Sequence, residues 1–493
     1  TIGADNITIN SDIFNVDDDG NSGGIYYDLY LLANSGLTLT NDIVTNENIL
    51  ELATGGDLTL TMANITFNNP DGTLILWADF DNSGTGSITG GTSGSPINLT
   101  NVENLILIAA EGINIYTVAD PINIAAYNST SGEINIDNVG DITVFDGSSY
   151  VGVPGIDVNG INNEAGGDVS ITAHSDVTID APINTFGGDL TISATGSIIH
   201  TVLGDITTSG GTYTGNFDSD ENSTGSYIMA DTGSDASVID VGTGDVYIYG
   251  GLVSGGEGIT ISQIIADTTS SSVYLLTASG SISETTNETG GYDISANRLV
   301  MAAADGIEID NLQISYLTAE NSTSGDIILT NTAPTAAGLT ITNSAVPYLT
   351  GVQNYGGNVS ITENSPITIS APVFATGDIT LIANDSVGSD DGSITNNATV
   401  TSSGGDVNLY AGTDINIGAN IQAADTLNLF ADDSTVAYND STGTGSVVRT
   451  SGTIIAPAIN LTGVDIGTSG NPIVTDAGTL SASAGSGGTT GGV

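Results

Sequence analysis

Cysteine is absent from this chain of 493 residues, and lysine and arginine together number two, Arg298 and Arg449. The first absence excludes disulfides, thiolate metal sites and cysteine nucleophiles. The second excludes partners read through clustered positive charge, which are nucleic acid backbones and anionic lipid. Acidic polysaccharides are repelled for the same reason. Without lysine, Lys–Asn isopeptide cross-links cannot form. No run of ~18 apolar residues occurs, so no segment reads as a membrane-spanning helix. Aromatic residues are 5% of the chain. Trp77, Phe430 and the cluster Tyr26, Tyr27 and Tyr30 therefore read as core and stacking residues rather than a carbohydrate platform.

Acid is abundant. There are 57 Asp and Glu residues and a formal net charge of -55, for which metal cations are the natural counterions. Hydrophobic residues make up 39%, enough for a core. An acidic chain adapted to high salt would place carboxylates densely on helices. Here Ser, Thr, Asn and Gly dominate, and no amphipathic helix of useful length appears.

Strand signals run throughout. "DLTLTM", "DVSITA", "DVTIDA", "DLTISA", "DVYIYG", "DITLIA" and "DVNLYA" alternate small polar with aliphatic residues at period two, each bounded by turn residues. The unit Gly-Asp-aliphatic recurs at Asp57, Asp141, Asp168, Asp189, Asp205, Asp245, Asp326, Asp378 and Asp406, with Asn358 as a variant. Glycine reaches left-handed backbone angles at a corner, and Asp bonds nearby N–H groups as the strand begins. Two or three short strands plus such corners make about 20 residues, one coil of a parallel β-solenoid. An array of β-sandwich domains is the competing fold; its hairpins favour Asn-Gly turns, and its spacing is irregular at this scale. The fold expected is all-β, a parallel β-solenoid drawn out as an elongated rod, with the Gly-Asp turns on one corner.

A longer repeat lies above the coil. "GGDVSITAHSDVTIDAPINTFGGDLTISA" from residue 166 returns as "GGNVSITENSPITISAPVFATGDITLIA" from residue 356, and "NSTSGEINI" returns as "NSTSGDIIL". This gives residues 1–54 as an N-terminal cap or first coils and 55–266 as a first solenoid block. That block has an acidic insertion near 195–244, read as an extra coil or a protruding loop. Residues 267–426 form a second block, 427–480 a partial third, and 481–493 a Gly/Ser-rich tail.

The run "GTGSI…LILIAAEGINI…NSTSGEINI…GGDVSITAHSDVTIDAPINTFGGDLTISA" resembles the repeat region of filamentous-haemagglutinin-like adhesins and related giant bacterial surface proteins. The resemblance covers residues from about 55 to 480. It implies a right-handed parallel β-helix, export, and a role in adhesion or extracellular matrix.

The sharpest cation candidate is "ADFDNSGTG". Asp79, Asp81 and Ser83, followed by Gly84, fit the start of a calcium loop, although Gly90 stands where a bidentate Glu is expected. "VDDDGNS" offers Asp17, Asp19 and Asn21, and "FDSDENS" offers Asp218, Asp220 and Asn222. Oxygen-only ligands suit Ca²⁺; the competing reading is a solvated turn capped by Asp. A glycosidase needs two acids at fixed separation. The pairs Asp390–Asp391 and Asp432–Asp433 point to opposite strand faces, and no cation stands near to bind substrate. The chain therefore reads as a non-enzyme. His174 and His200, in adjoining coils, read as surface polar residues. Among several Asn-x-Ser/Thr sequons, Asn439 among them, those of the "NST" loops, Asn128, Asn222 and Asn321, are the places expected for sugar.

The function expected is an extracellular structural protein at the cell surface, a subunit of a filament, sheath or matrix that associates with itself end to end. Other cell-surface components are the further partners this reading admits; nucleic acid and membrane insertion are not among them. The alternatives are the stalk of a large secreted adhesin and, more remotely, a polysaccharide-acting β-helix enzyme. Calcium is the cofactor to test.

Overall fold

The computed structural model describes residues 3–9, 13–14 and 29–485, except 62–63, 152, 154, 223, 251–257, 286–290, 333–337, 346, 386–390 and 433–444. The described residues contain no helix. The chain divides into two compact units, residues 1–251 with 287–289, and residues 252–286 with 290–493. Each is a parallel β-solenoid.

In the first unit a coil consists of three short strands. Val169–Ala173, Val177–Ile179 and Ile183–Asn184 lie beneath Leu190–Ala194, Ile198–His200 and Ile206–Thr207. Every one of these pairs is parallel and in register. Alternation decides which way side chains point. Val169, Ile171 and Ala173 are buried while Ser170 and Thr172 between them are half-exposed, so the period-two pattern becomes an interior ladder. One ladder runs Ile134, Val169, Leu190, Tyr213, Val246. The segment near 195–244 is an extra coil, because Tyr213–Phe217 pairs in register with Leu190–Ala194 on one side and Val246–Gly250 on the other.

The second unit repeats the scheme. Its ladder runs Ile327, Val359, Ile379, Val407, Leu427, Ile459, Leu480. The last described strand, Thr475–Ala484, carries it four residues into the segment read as tail. Among the described residues one strand pair is antiparallel, Asn343–Ala345 with Tyr348–Thr350, a hairpin that leaves the coil and returns to it.

The recurring Gly-Asp unit has a more specific cause than turn preference. The Asp168 Oδ1 atom accepts the backbone N–H of Asp189 at 2.9 Å, and Asp189 Oδ1 accepts that of Thr212 at 2.8 Å. In the second unit Asp326, Asn358, Asp378 and Asp406 hand the same bond from coil to coil at 2.7–2.8 Å. Each acid therefore satisfies a corner donor of the coil stacked on it, which the strand ladder cannot reach.

The corner glycine is explained differently from the sequence expectation. Gly140 and Gly325 do take positive φ, 129° and 83°. Gly188 does not; the left-handed residue there is Gly187, at 116°. Gly188 is needed because a Cβ would lie 2.1 Å from the carbonyl oxygen of Gly167 in the coil below. Nor do the turns share one corner. Asp168 and Asp189 precede first strands of their coils, whereas Asp141 precedes Ile142–Val144, which pairs with the second-strand position. Asp205 precedes Ile206–Thr207, at the third. The same device serves at these corners too, where Asp141 Oδ1 accepts Asp176 N–H at 3.1 Å and Asp205 Oδ1 accepts Val238 N–H at 2.9 Å.

Candidate functional site

Positions 79–86 and 218–225 are the same device used twice. Each begins at an Asp with positive φ that ends a strand, 68° at Asp79 and 50° at Asp218. Each turns through a bond to the Asp carbonyl, from Asn82 N–H and Glu221 N–H, both 2.9 Å. Each returns through a Gly-Ser pair, and a Cβ on Gly86 or Gly225 would lie 2.9 Å from the backbone N of its own Asp. These are corner loops excised from the coil.

The carboxylates within them are used locally. Asp79 Oδ1 accepts Ser83 Oγ–H and Gly84 N–H, each at 3.0 Å. Asp81 Oδ1 accepts Ser83 N–H at 3.2 Å. Asp220 Oδ1 and Oδ2 accept the backbone N–H and side-chain amide of Asn222 at 3.3 and 2.8 Å. Asp79 and Asp81 thus both bond Ser83, and Asp220 bonds Asn222, while Asp218 begins the second loop; oxygen-only donors of this kind suit a hard cation. Asp17, Asp19 and Asn21 lie outside the described residues, as do Asp390 and Asp433. One grouping that sequence reasoning missed is Glu284, Asp293 and Asp310, whose carboxylate oxygens come within 4.8 Å of one another. Those residues sit in three separate stretches of chain, and only the coil geometry brings them together.

His200 overturns the expectation of two surface histidines. It is 1% exposed, because Ile198 and His200 are the inward residues of their strand. Its Nδ1–H donates to the Gly204 carbonyl at 3.0 Å. A carbonyl can only accept, so the bond fixes the tautomer and Nε2 accepts the Tyr227 hydroxyl at 2.7 Å. Tyr227 in turn accepts from Tyr213 at 2.8 Å. Gly215 leaves room for this chain: a Cβ there would lie 2.8 Å from the Tyr213 hydroxyl. Burial lowers the His200 pKa to about 4, the Gly204 bond opposing it. Burial holds both tyrosines well above their ordinary range. His174 is exposed, with Nε2 3.1 Å from Asp137.

Glu363 is a further buried titratable group, in the second unit. It is fully buried, accepts Asn331 Nδ2–H at 2.6 Å and also accepts the Ser365 hydroxyl. Burial pushes its pKa up to about 7 against those two bonds. Of the three expected sugar acceptors Asn222 is exposed, whereas Asn128 and Asn321 are fully buried. Each accepts a glycine N–H at 2.9 Å and donates to the next coil's Asn163 or Asn354 at 2.9 Å. In the folded chain neither is open to glycosylation.

A concave feature lies on the outside of the first unit. Strand Gly72–Ala78 is buried along its whole length. Its outward Ile75 and Trp77 stack with Ile106 and Ile108 and, beyond them, Ala125 and Tyr127. These make a second apolar layer outside the coil, closed over by Phe145, Val151, Ile156 and Val158. Tyr127 Oη donates toward Glu164 at 3.0 Å and Gly155 O at 3.2 Å, tying down that covering segment. Burial first, then the Glu164 carboxylate, pushes the Tyr127 pKa up to about 12. A cavity of about 330 Å³ opens beside the cover, walled by Trp77, Phe80, Ile108, Tyr127, Val153 and Ile156, with Asp79 and Asn82 on its polar side. Phe80 stands edge-on to Trp77, ring centres 4.8 Å apart, and is 42% exposed.

Scans against protein-family models, curated proteins and solved structures each returned no match.

Proposed function

We propose that this chain is an extracellular structural protein, a β-solenoid subunit of a cell-surface filament, sheath or matrix that associates end to end. The observation that supports it is the handing on of one contact set from coil to coil, Asp168 to Asp189 to Thr212 and Asp326 to Asn358 to Asp378 to Asp406. Such a body lengthens by copying a block, without a new core. A solenoid coil also presents an open strand edge wherever it is not covered, and open edges pair with other chains unless capped. The charge of -55 keeps subunits apart at low salt, so assembly rises with ionic strength. Electron microscopy of purified full chain, in low and physiological salt, is the test. Filaments or sheets whose subunits join at their ends are expected. Separate monomers at every salt and concentration would favour the adhesin-stalk reading instead.

Calcium belongs to the same proposal, held by the Asp79–Asp81–Ser83 and Asp218–Asp220–Asn222 turns and by Glu284, Asp293 and Asp310. A cation that binds only the folded chain stabilises it by about 2.7 kcal/mol at a hundred times its Kd. Thermal unfolding should therefore rise and saturate with millimolar calcium at constant ionic strength, and Asp79→Asn and Asp310→Asn should each remove part of that rise. If sodium at matched ionic strength does the same, the acids serve only as corner acceptors.

A further inference from the structure

The covering segment that makes the cavity has a counterpart in the second unit. In the first unit the cover precedes Ile161–Asn163, which pairs with the preceding coil through Ala126 and Ile161. In the second, the equivalent pair is Ala319 and Val352, and the excursion before it is the hairpin of Asn343–Ala345 and Tyr348–Thr350. One copy of the repeat thus builds a hole at this place and the other a projection. At the hairpin, Tyr348 is 92% exposed, the most exposed large apolar side chain described.

The electrostatic setting of the hairpin is unusual for this chain. Residues 327–362 contain no Asp, Glu, Lys or Arg. On a molecule of net charge -55, most surfaces repel a second copy. The hairpin itself brings no charged side chain to such an approach and carries an aromatic one at its end, although the strand it packs against, Tyr316–Asn321, includes Glu320. The cavity matches it in chemistry. It offers apolar and aromatic walls and, in Asp79 and Asn82, polar atoms for a phenol hydroxyl. Size permits the fit: ~150 Å³ accommodates benzene, and this cavity is about 330 Å³.

We propose that Tyr348 of one copy inserts into the Trp77–Phe80–Tyr127 cavity of another, a knob-in-hole contact between copies of this chain. It rests on the self-association reading and adds to it a second, non-end contact. The two surfaces differ, so the contact is heterologous; it propagates along an assembly instead of closing a symmetric pair. One tyrosine buries ~150–250 Å², against ~1,200–2,000 Å² for a stable interface. The knob therefore does not hold two free chains together; it fastens chains already brought side by side.

The absence of native cysteine makes the test direct. Ala345→Cys stands opposite Tyr348 in the hairpin and leaves the knob intact; Val153→Cys stands at the cavity wall and is 42% exposed in the parent residue. The two variants are mixed as full chains under assembly conditions and oxidised. A disulfide-linked pair of one chain of each kind is expected. Adding Tyr348→Ala to the hairpin variant should lower its yield about tenfold or more, as for loss of one buried aromatic anchor. No mixed pair, or a yield indifferent to Tyr348→Ala, overturns the contact. So does a disulfide within a single chain carrying both cysteines at high dilution, since the knob would then be filling its own hole. Filaments without the mixed pair would leave end-to-end assembly standing and remove this contact. The mixed pair without filaments would leave this contact standing and remove only the end-to-end geometry, some other contact then bringing the chains side by side.

Discussion

Gly188→Ala is expected to destabilise the first unit by about 3–5 kcal/mol, from overpacking against backbone together with a lost charge-assisted bond. The added Cβ would sit 2.1 Å from the Gly167 oxygen and 2.4 Å from its carbon. Both are backbone atoms, so no rotamer change relieves the clash. The coils must part there, and the Asp168–Asp189 bond at 2.9 Å lies one residue away. Neither coil can shift alone, because Gly211 stacks on Gly188 as closely, its Cβ position 2.0 Å from that carbonyl oxygen. The comparison is Gly94→Ala, where a Cβ meets nothing within 4 Å and φ is not left-handed. That change should be neutral or slightly stabilising, by ~0.4–1 kcal/mol at most. Urea unfolding followed by Trp77 fluorescence reads the difference, since Trp77 is the single tryptophan and lies in the same unit. Equal midpoints for the two variants would mean the glycine stack carries no constraint.

The same glycine shows how far the sequence alone could be read. Period-two alternation in "DVSITA" and "DLTISA" announces strands, and their recurrence with Gly-Asp announces coils, because both signals are local. The reason for the glycine was not local. It depends on which residue lies one coil below, and that register is not written in either coil alone. His200 failed for a related reason. "SIIHT" gives no cue that its histidine continues the inward phase of Ile198, because histidine suits either face. Its partners, Gly204, Tyr227 and Tyr213, are spread over two coils. The outer cavity does leave a signal in the sequence. "TLILWA" and "LILIAA" are continuous apolar runs, not alternating ones. A strand apolar at every position is covered on both faces, so these runs already required something outside the coil at Trp77 and Ile108. The acidic turns stand out in the sequence, but their closure into corner loops depends on Gly86 and Gly225 folding back onto Asp79 and Asp218. The Glu284, Asp293 and Asp310 grouping had no sequence spacing to betray it.

Two buried groups with shifted pKa values, His200 and Glu363, should give the two units opposite responses to pH. His200 has a folded pKa of about 4 against an ordinary 6.5. Its contribution is complete above the unfolded value and is lost as pH falls from 6.5 towards 4, because the unfolded chain takes up the proton first. A shift of that size corresponds to roughly 3 kcal/mol. Glu363 runs the other way. Its folded pKa of about 7 lies above the ordinary 4.5, so its contribution is complete below 4.5 and is lost as pH rises from 4.5 to 7. That loss is again roughly 3 kcal/mol. Acid therefore loosens the coil around Ile198–His200, in the first unit, and neutrality loosens the coil around Val359–Glu363, in the second. Glu363→Gln keeps an acceptor for Asn331 and removes the charge. It should match the parent near pH 4 and exceed it by about 2–3 kcal/mol near pH 8. His200→Met adopts the residue that already stacks on it, Met229, and leaves the Gly204 carbonyl and the Tyr227 proton unpaired. It should cost about 1–3 kcal/mol at pH 7 and flatten the acid limb of the first unit. Hydrogen exchange at fixed urea, corrected for the intrinsic pH dependence of exchange, resolves the two segments separately. Limbs that persist in both variants would place the pH dependence in the exposed corner acids instead of in these two cores.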